Sequence, residues 1–286
     1  MSDVSTIGVI GAGTMGSGIA QVAAQAGFEV VLVDQAESWL DRGLDAISSG
    51  LDKLVARQKL DDAEREAVLG RIEGSTKLAH VSGCDLVIEA VTEVFDTKAE
   101  VFREVADITR PGTILASNTS SIPISGLGAS VSDPSRVVGM HFFNPVPVLA
   151  LVEVIRGLQT SAETAATVID VARRMGKSPV EVSDSPGFLT NRLLIPMVNE
   201  AIFCLDEGIA TVDDIDAAMK LGASHPMGPL ALADLIGLDV CLHIMEVLHH
   251  DFGDDKYRPA PLLRRMVAAG QLGRKSGQGF HTYDAR

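Results

Sequence analysis

The chain has 286 residues, of which 46% are apolar, 22% charged and 4% aromatic. This apolar fraction can bury a sizeable core, so the composition excludes a largely disordered chain, and the length suits two domains. Its 24 Lys and Arg residues and 38 Asp and Glu residues give a formal net charge of −14. Because so acidic a chain repels a phosphate backbone, we expect no nucleic-acid partner.

Three cysteines, Cys84, Cys204 and Cys241, stand far apart in the sequence. Their odd number and their spacing indicate neither a disulfide framework nor a metal site, so we expect no bound metal. The first residues carry no basic segment, and no apolar run reaches the roughly 20 residues of a membrane-spanning helix. We therefore expect a cytoplasmic protein without a membrane partner.

The first part of the chain alternates between strand and helix patterns. An apolar run at 7–10 precedes a glycine-rich turn, and apolar residues then recur at helical spacing up to Gly27. The further predicted strands are 30–33, 86–90, 113–117, 137–141, 151–155 and 179–182, and the further helices are 37–59, 61–69, 97–108 and 162–175. This alternation predicts an α/β fold with a Rossmann-like, doubly wound and mostly parallel sheet.

The pattern changes at Ser185-Pro186-Gly187. Beyond this point only helical patterns follow, at 188–207, 212–220, 229–236, 240–248 and 261–269, separated by Gly and Pro. The sequence therefore predicts two domains, an α/β domain over 1–185 and an all-α domain over 186–286.

The turn after the first strand reads Gly11-Ala12-Gly13-Thr14-Met15-Gly16. Between a strand and a helix, the first Gly permits a tight turn, the second lets backbone approach a pyrophosphate, and the third lets the helix pack on the sheet. The phosphates then meet the N-terminus of the helix, which favours negative charge. Asp34 ends the second strand, where a carboxylate binds a ribose diol and repels a 2′-phosphate. This favours NAD over NADP.

His141 ends a predicted strand, and Glu153 lies inside the next one, Leu151-Val152-Glu153-Val154-Ile155. A carboxylate in a buried strand is costly unless it is paired, and the turn Pro145-Val146-Pro147 can bring the imidazole beside it. Such a pair fixes the tautomer and favours the protonated imidazole, as a general base acting on an alcohol requires. A strand-edge Glu153 that faces water is the alternative.

Three further polar groups stand where a ligand could bind. The cluster 117–121 follows an apolar strand, at the edge where doubly wound sheets bind ligands, although its composition is also ordinary for a loop. Asn191 begins the first C-terminal helix and either orients a substrate carbonyl or is a local helix-start residue. A basic group on or near the helix over 37–59 either holds a substrate phosphate or is a solvated face; it comprises Lys53, Arg57 and Lys59.

Together these segments resemble the short-chain L-3-hydroxyacyl-CoA dehydrogenases, in particular the bacterial 3-hydroxybutyryl-CoA dehydrogenases. The resemblance covers nearly the whole chain, and its most specific part is His141-Phe142-Phe143-Asn144-Pro145 with Glu153 downstream. Other matching segments are Ala116-Ser117-Asn118-Thr119-Ser120-Ser121, Pro226-Met227-Gly228-Pro229 and Gly277-Gln278-Gly279-Phe280. The chain departs from the family pattern at Val94, Ala150 and Gly50.

The resemblance implies an NAD-binding domain, a helical domain that forms a homodimer, and hydride transfer between the C3 hydroxyl of an (S)-3-hydroxyacyl-CoA and NAD. It implies His141 as the general base, Glu153 as its partner, Ser120 as the hydrogen-bond partner of the reacting oxygen and Asn191 as the residue that positions substrate. It places near the dinucleotide Glu93, Lys98, Asn118, Asn144 and Lys275. It places near the CoA phosphates Lys53, Arg57 and Lys59.

Two other functions fit part of the pattern. A dehydrogenase of the same architecture that acts on a free hydroxy acid or sugar acid would use the same cofactor, and dependence on the thioester separates it. A non-catalytic structural protein, as the lens crystallins that resemble this family, would lack turnover. The presence of Ser120, His141, Glu153 and Asn191 argues against that second alternative.

Overall fold

The computed structural model describes residues 4–283, and the chain divides into two compact units, the first ending at Asp184 and the second beginning at Ser185. The first unit contains one sheet of eight strands in the order 3-2-1-4-5-6-7-8. The strands are β1 (Thr6–Ile10), β2 (Glu29–Val33), β3 (Ile72–Ser75), β4 (Leu86–Glu89), β5 (Ile114–Ser117), β6 (Val137–Phe142), β7 (Leu151–Arg156) and β8 (Ser178–Ser183). The helices of this unit are α1 (Thr14–Gln25), α2 (Glu37–Ala56), α3 (Asp62–Gly70), α4 (Phe95–Ile108), α5 (Ile124–Gly128) and α6 (Ala162–Arg174).

This topology confirms the predicted Rossmann-like, mostly parallel sheet. All neighbouring strands are parallel except β6 and β7. The chain builds outward from β1 to β3 and then returns to place β4 on the other side of β1. The carboxyl ends of β1 and β4 therefore flank the position at which open α/β sheets bind ligands.

Continuous apolar runs explain the centre of the sheet. Every residue of β4, β5 and β6 is buried, as expected for strands that are covered on both faces. Helix α1 contributes Ile19, Ala20 and Ala23 to the same core. The helix that starts at the glycine turn is thus fixed to the sheet by its apolar side.

Four details of the sheet and helices differ from the sequence predictions. The sequence pattern predicts neither β3 nor α5. Strand β3 has the sequence IEGS, which lacks an apolar run, as an edge strand with two exposed residues allows. Helix α2 ends at Ala56 instead of 59, since Gln58 adopts a left-handed φ of +56°. Strand β7 runs antiparallel to β6 because the connection over 143–150 is too short for a crossover helix.

The second unit is helical, as the sequence predicts. Its helices are α7 (Thr190–Asp206), α8 (Val212–Gly222), α9 (Pro229–Ile236), α10 (Leu238–Phe252) and α11 (Pro261–Ala268). Their apolar faces enclose a core of their own, which includes Ile195, Val198 and Leu230. Within residues 4–283, no helix is both long enough and apolar enough to cross a membrane.

Candidate active site

The turn after β1 has the backbone that the glycine motif predicts. Gly11 adopts a φ of +101°, and its amide donates to the carbonyl of Val33 at 2.7 Å, so the chain turns sharply there. Gly16 passes so close that a Cβ atom on it would lie 1.7 Å from the carbonyl oxygen of Gly11. A Cβ atom on Gly13 would meet nothing within 4 Å. The turn therefore leaves open space beside Gly13, where a pyrophosphate fits.

Helix α1 begins at this turn, with Thr14 and Met15 in its first turn. Its N-cap residue, Gly13, has no side chain that could cap the first N–H groups, and none of the residues of its first turn is acidic. These amides and the positive end of the helix dipole favour an anion. A cavity of about 400 Å³ opens beside them, lined by Ala12, Gly13, Thr14, Ser17, Trp39, Arg42 and Ala46.

Asp34 stands at the end of β2, beside the glycine turn. Its side chain is buried, and Oδ2 accepts the backbone N–H of Ala12 at 2.8 Å. This hydrogen bond fixes the direction of the carboxylate. Because a carboxylate can accept several hydrogen bonds, Asp34 retains the capacity to bind ribose hydroxyls.

His141 and Glu153 lie directly opposite each other in the antiparallel pair of β6 and β7. Opposed residues project to the same face, so the side chains meet, and His141 Nδ1 lies 2.8 Å from Glu153 Oε2. Glu153 is only 1% exposed, which confirms the predicted pairing and excludes a carboxylate that faces water. Since the carboxylate accepts the Nδ1 proton, Nε2 carries the basic lone pair.

The loop after β5 is held by the carboxylate of Glu93. Its Oε1 accepts the backbone N–H of Ser120 at 2.8 Å and that of Ser121 at 3.1 Å, as well as the hydroxyl of Thr119 at 2.6 Å. The Ser120 hydroxyl lies 3.1 Å from the same oxygen. Burial works to raise the pKa of Glu93, but the Lys98 ammonium and these hydrogen bonds outweigh it and hold the pKa below its usual value. Glu93 is therefore an anion at neutral pH.

Lys98 turns inward from α4 and is 1% exposed. Its Nζ donates to Glu89 Oε1 at 2.6 Å and to the carbonyl of Val91 at 3.3 Å, and lies 3.3 Å from Glu93 Oε2. The structure encloses its ammonium between two carboxylates, and the place of this side chain near the dinucleotide stays a prediction.

Glu89 is the residue at this site that the sequence analysis missed. Burial raises the pKa of its carboxyl, and the Lys98 ammonium offsets that only in part. The sequence does carry a signal for Glu89, because a carboxylate at the end of the apolar run of β4 needs a partner. The same signal singles out Glu153.

The ends of β5 and β6 are joined by Asn118. Its Oδ1 accepts the backbone N–H of Phe142 at 2.9 Å. Asn144 follows β6 and is exposed. Neighbouring parallel strands end at the same edge of the sheet, so Asn118, Ser120 and His141 share that edge.

The remaining predicted residues are described within their own units. Lys53, Arg57 and Lys59 are exposed in the first unit, in and after the last turn of α2. In the second unit, Asn191 is buried in the first turn of α7, and Lys275 donates to Asp239 Oδ2 at 2.7 Å. The roles expected for these five residues stay predictions.

A sheet wound in this order, with a glycine turn at its switch point, is typical of dinucleotide-dependent dehydrogenases, and a histidine held by a carboxylate at the end of β6 fits that class. The model of the 3-hydroxyacyl-CoA dehydrogenase NAD binding domain matches residues 6–185, and that of the 3-hydroxyacyl-CoA dehydrogenase C-terminal domain matches residues 187–283. The chain therefore belongs to the 3-hydroxyacyl-CoA dehydrogenase family, whose cofactor is NAD.

Individual relatives agree with this membership. The "Probable 3-hydroxybutyryl-CoA dehydrogenase" of Deinococcus radiodurans is 58% identical, over 96% of this chain and 99% of its own length. The structure of (S)-3-hydroxybutyryl-CoA dehydrogenase PaaH1 from Ralstonia eutropha superposes with a TM-score of 0.97 at 51% identity, over 99% of this chain and all of that one. The structure of 5-formyl-3-hydroxy-2-methylpyridine 4-carboxylic acid 5-dehydrogenase, described as an NAD⁺-dependent dismutase, has a TM-score of 0.80 at 36% identity, over 99% of this chain and 92% of that one.

Proposed function

We propose that this chain transfers a hydride reversibly between C3 of (S)-3-hydroxybutyryl-CoA and NAD, with acetoacetyl-CoA as the oxidised product. The observation that carries the proposal is the buried contact of 2.8 Å between His141 Nδ1 and Glu153 Oε2. An imidazole oriented by a carboxylate is suited to take a proton from an alcohol. The four-carbon substrate is supported by relatives of that name at 48–58% identity.

NAD, when bound, supplies the acceptor for the hydride at C3. The open space beside Gly13, the uncapped start of α1 and the fixed Asp34 carboxylate fit its diphosphate and adenosine ribose. The residues that would hold the diphosphate are Gly11, Ala12, Gly13, Thr14, Met15 and Gly16. Further residues would lie near the dinucleotide, namely Asp34, Glu93, Lys98, Asn118, Ser120, Asn144 and Lys275.

The proton follows a separate path through the chain's own residues. His141 Nε2 removes the proton of the 3-hydroxyl during oxidation and returns it during reduction, while Glu153 stabilises the imidazolium. Ser120 donates a hydrogen bond to the oxygen as negative charge develops on it. Its hydroxyl is 3.1 Å from Glu93 Oε1, the weaker kind of contact, so its hydrogen can turn to the substrate. Asn191 positions the substrate.

The thioester end carries the phosphates of CoA. The exposed basic residues at the end of α2 supply local positive charge in a chain whose formal net charge is −14. We assign the CoA phosphates to Lys53, Arg57 and Lys59.

A spectrophotometric assay tests this function. With NADH, we expect rapid reduction of acetoacetyl-CoA and slow or no reduction of acetoacetate, and we expect NADPH to be the poorer cofactor. Equal turnover of the free acid would instead support a dehydrogenase of free hydroxy acids. Absence of turnover with either substrate would support the non-catalytic alternative.

The protein is further proposed to act as a homodimer in the cytoplasm. The helical unit exposes large apolar side chains that a partner subunit would cover, among them Leu193, Ile209, Leu221 and Leu235. All three cysteines are free, which fits a reducing compartment.

A further inference from the structure

Beneath the loop that carries Ser120 lies a charged pair that is shut off from solvent. Glu89 and Lys98 are each 1% exposed, and their side chains are 2.6 Å apart. Desolvation of both ions offsets most of the attraction in such a pair, so the pair by itself is weak evidence for stability. The groups that the pair holds in place therefore matter more than its contribution to stability.

Glu89 joins the ends of two strands. It is the last residue of β4 and lies beside Ser117, the last residue of β5. Its Oε2 accepts the hydroxyl of Ser117 at 2.7 Å, and its Oε1 accepts the backbone N–H of Val91 at 2.7 Å. With Lys98 as the third donor, this carboxylate is satisfied from within the fold.

Lys98 links Glu89 to Glu93. Its ammonium lies between Glu89 Oε1 at 2.6 Å and Glu93 Oε2 at 3.3 Å. This contact occupies one oxygen of Glu93 and leaves the other, Oε1, directed at the backbone N–H groups of Ser120 and Ser121. The direction of the Glu93 carboxylate thus depends on an ammonium that Glu89 holds.

The loop is braced at both ends by this network. At its start, Ser117 bonds to Glu89 and accepts the backbone N–H of Thr119 at 3.2 Å. At its far end, Ser120 bonds to Glu93. Lys98 connects the two carboxylates, because its ammonium contacts both. We propose that Glu89 is a positioning residue that acts through Lys98 and Glu93 on Ser120, an inference that rests on the role of Ser120 in the proposed function.

The test replaces the buried ion pair with neutral side chains of similar shape, in the double substitution Glu89→Gln/Lys98→Met (the paired variant). This leaves no unpaired buried charge, so we expect the fold to persist. Since Ser120 is displaced and not removed, kcat for acetoacetyl-CoA reduction should fall by about 10- to 100-fold, less than the roughly 10²- to 10³-fold loss that follows removal of one preorganised donor.

A second readout does not depend on activity. In the protein without ligands, amide hydrogen exchange of the peptide 117–122 should accelerate at least about tenfold in the paired variant, because local opening becomes easier. The matched control is Thr113→Val, which removes the buried hydrogen bond of 2.8 Å from Thr113 Oγ1 to the Cys84 carbonyl, at the opposite end of β5. It should change neither kcat nor exchange of this peptide.

A double-mutant cycle assigns the effect to Ser120. In a Ser120→Ala background, the paired variant should cost less than about threefold in kcat, because interacting residues are not additive. A full additional loss in that background or an unchanged kcat in the paired variant would each overturn the inference. If the paired variant does not fold, Ser117→Ala tests the same brace without a charge change, and an unaltered exchange rate there overturns it.

Failure of the proposed function has a different signature. Suppose that the wild-type protein does not turn over acetoacetyl-CoA, while the amides of 117–122 exchange faster in the paired variant than in the wild type. This result would refute the substrate assignment and would still support the positioning network. A normal kcat in Ser120→Ala alone would refute the role of Ser120 and this inference with it.

Discussion

The imidazole of His141 serves proton transfer, whereas the glycine turn and Asp34 serve the dinucleotide. His141→Gln should therefore lower kcat by about 10³-fold, the range of a lost general base, and leave the dissociation constant of NADH nearly unchanged. Steady-state kinetics and fluorescence titration measure the two effects separately. A variant that keeps most of its turnover would remove His141 from its proposed role.

Asp34 is expected to set the choice between NAD and NADP. Asp34→Ser removes the charge that opposes a 2′-phosphate, and Arg42 lines the cavity beside the turn. The ratio of kcat/KM for NADPH to that for NADH should rise by about tenfold or more, an amount that corresponds to 1.4 kcal/mol. Arg42→Ala in the same background should reverse part of the gain, and a ratio that does not move would contradict this assignment.

The cysteines differ sharply in expected reactivity. Burial raises the pKa of Cys84 to about 12, and burial together with the neighbouring Asp239 raises that of Cys241 to about 12. At pH 8 only about one in 10⁴ of these thiols is a thiolate, the reactive form. Native protein should therefore show one reactive thiol, the half-buried Cys204, in a disulfide-exchange titration, and unfolded protein should show three. Cys204→Ser should abolish the native reaction, and rapid modification of two thiols would refute the prediction.

At the scale of elements, helix α1 touches the connection that carries Asn144. A Cβ atom on Gly18 would lie 2.9 Å from Cβ of Val146, which is buried. Gly18→Ala should push this connection away, lower the free energy of unfolding by about 1–3 kcal/mol and reduce kcat. Thermal unfolding and steady-state kinetics measure both. Gly70→Ala, where a Cβ atom meets nothing within 4 Å, is the control, and equal behaviour of the two variants would contradict the packing argument.

The sequence predicts those elements whose burial leaves a periodic pattern. The strands β4 to β6 are buried throughout and mostly apolar, and Glu153 stands out within β7 because it interrupts such a run. Strand β3 escapes prediction because only one of its faces needs apolar residues and it lies at the edge. The network around Glu89 escapes because Lys98 meets it only after α4 folds onto the sheet, and linear spacing carries no record of that contact.

At the scale of the whole molecule, the homodimer makes a direct prediction. Leu193 on α7 is 67% exposed, and an apolar side chain in a subunit interface does not tolerate a carboxylate. Light scattering coupled to size-exclusion chromatography should give twice the chain mass for the wild type and the single chain mass for Leu193→Asp. Leu158→Asp, on the α/β unit and 91% exposed, should stay dimeric. A monomeric wild type would refute the proposal.

The reversal of β7 has a consequence for robustness. His141 faces Glu153 only in one alignment of the hairpin, in which Val152 and Val154 oppose Phe142 and Met140. A slip by one residue would turn Glu153 toward the apolar face of the sheet and bring a valine opposite the imidazole. Burial of these apolar side chains thus stabilises the strand register that places His141 opposite Glu153. Substitutions in the surrounding loops can therefore change which substrates bind without changing the pairing of His141 with Glu153.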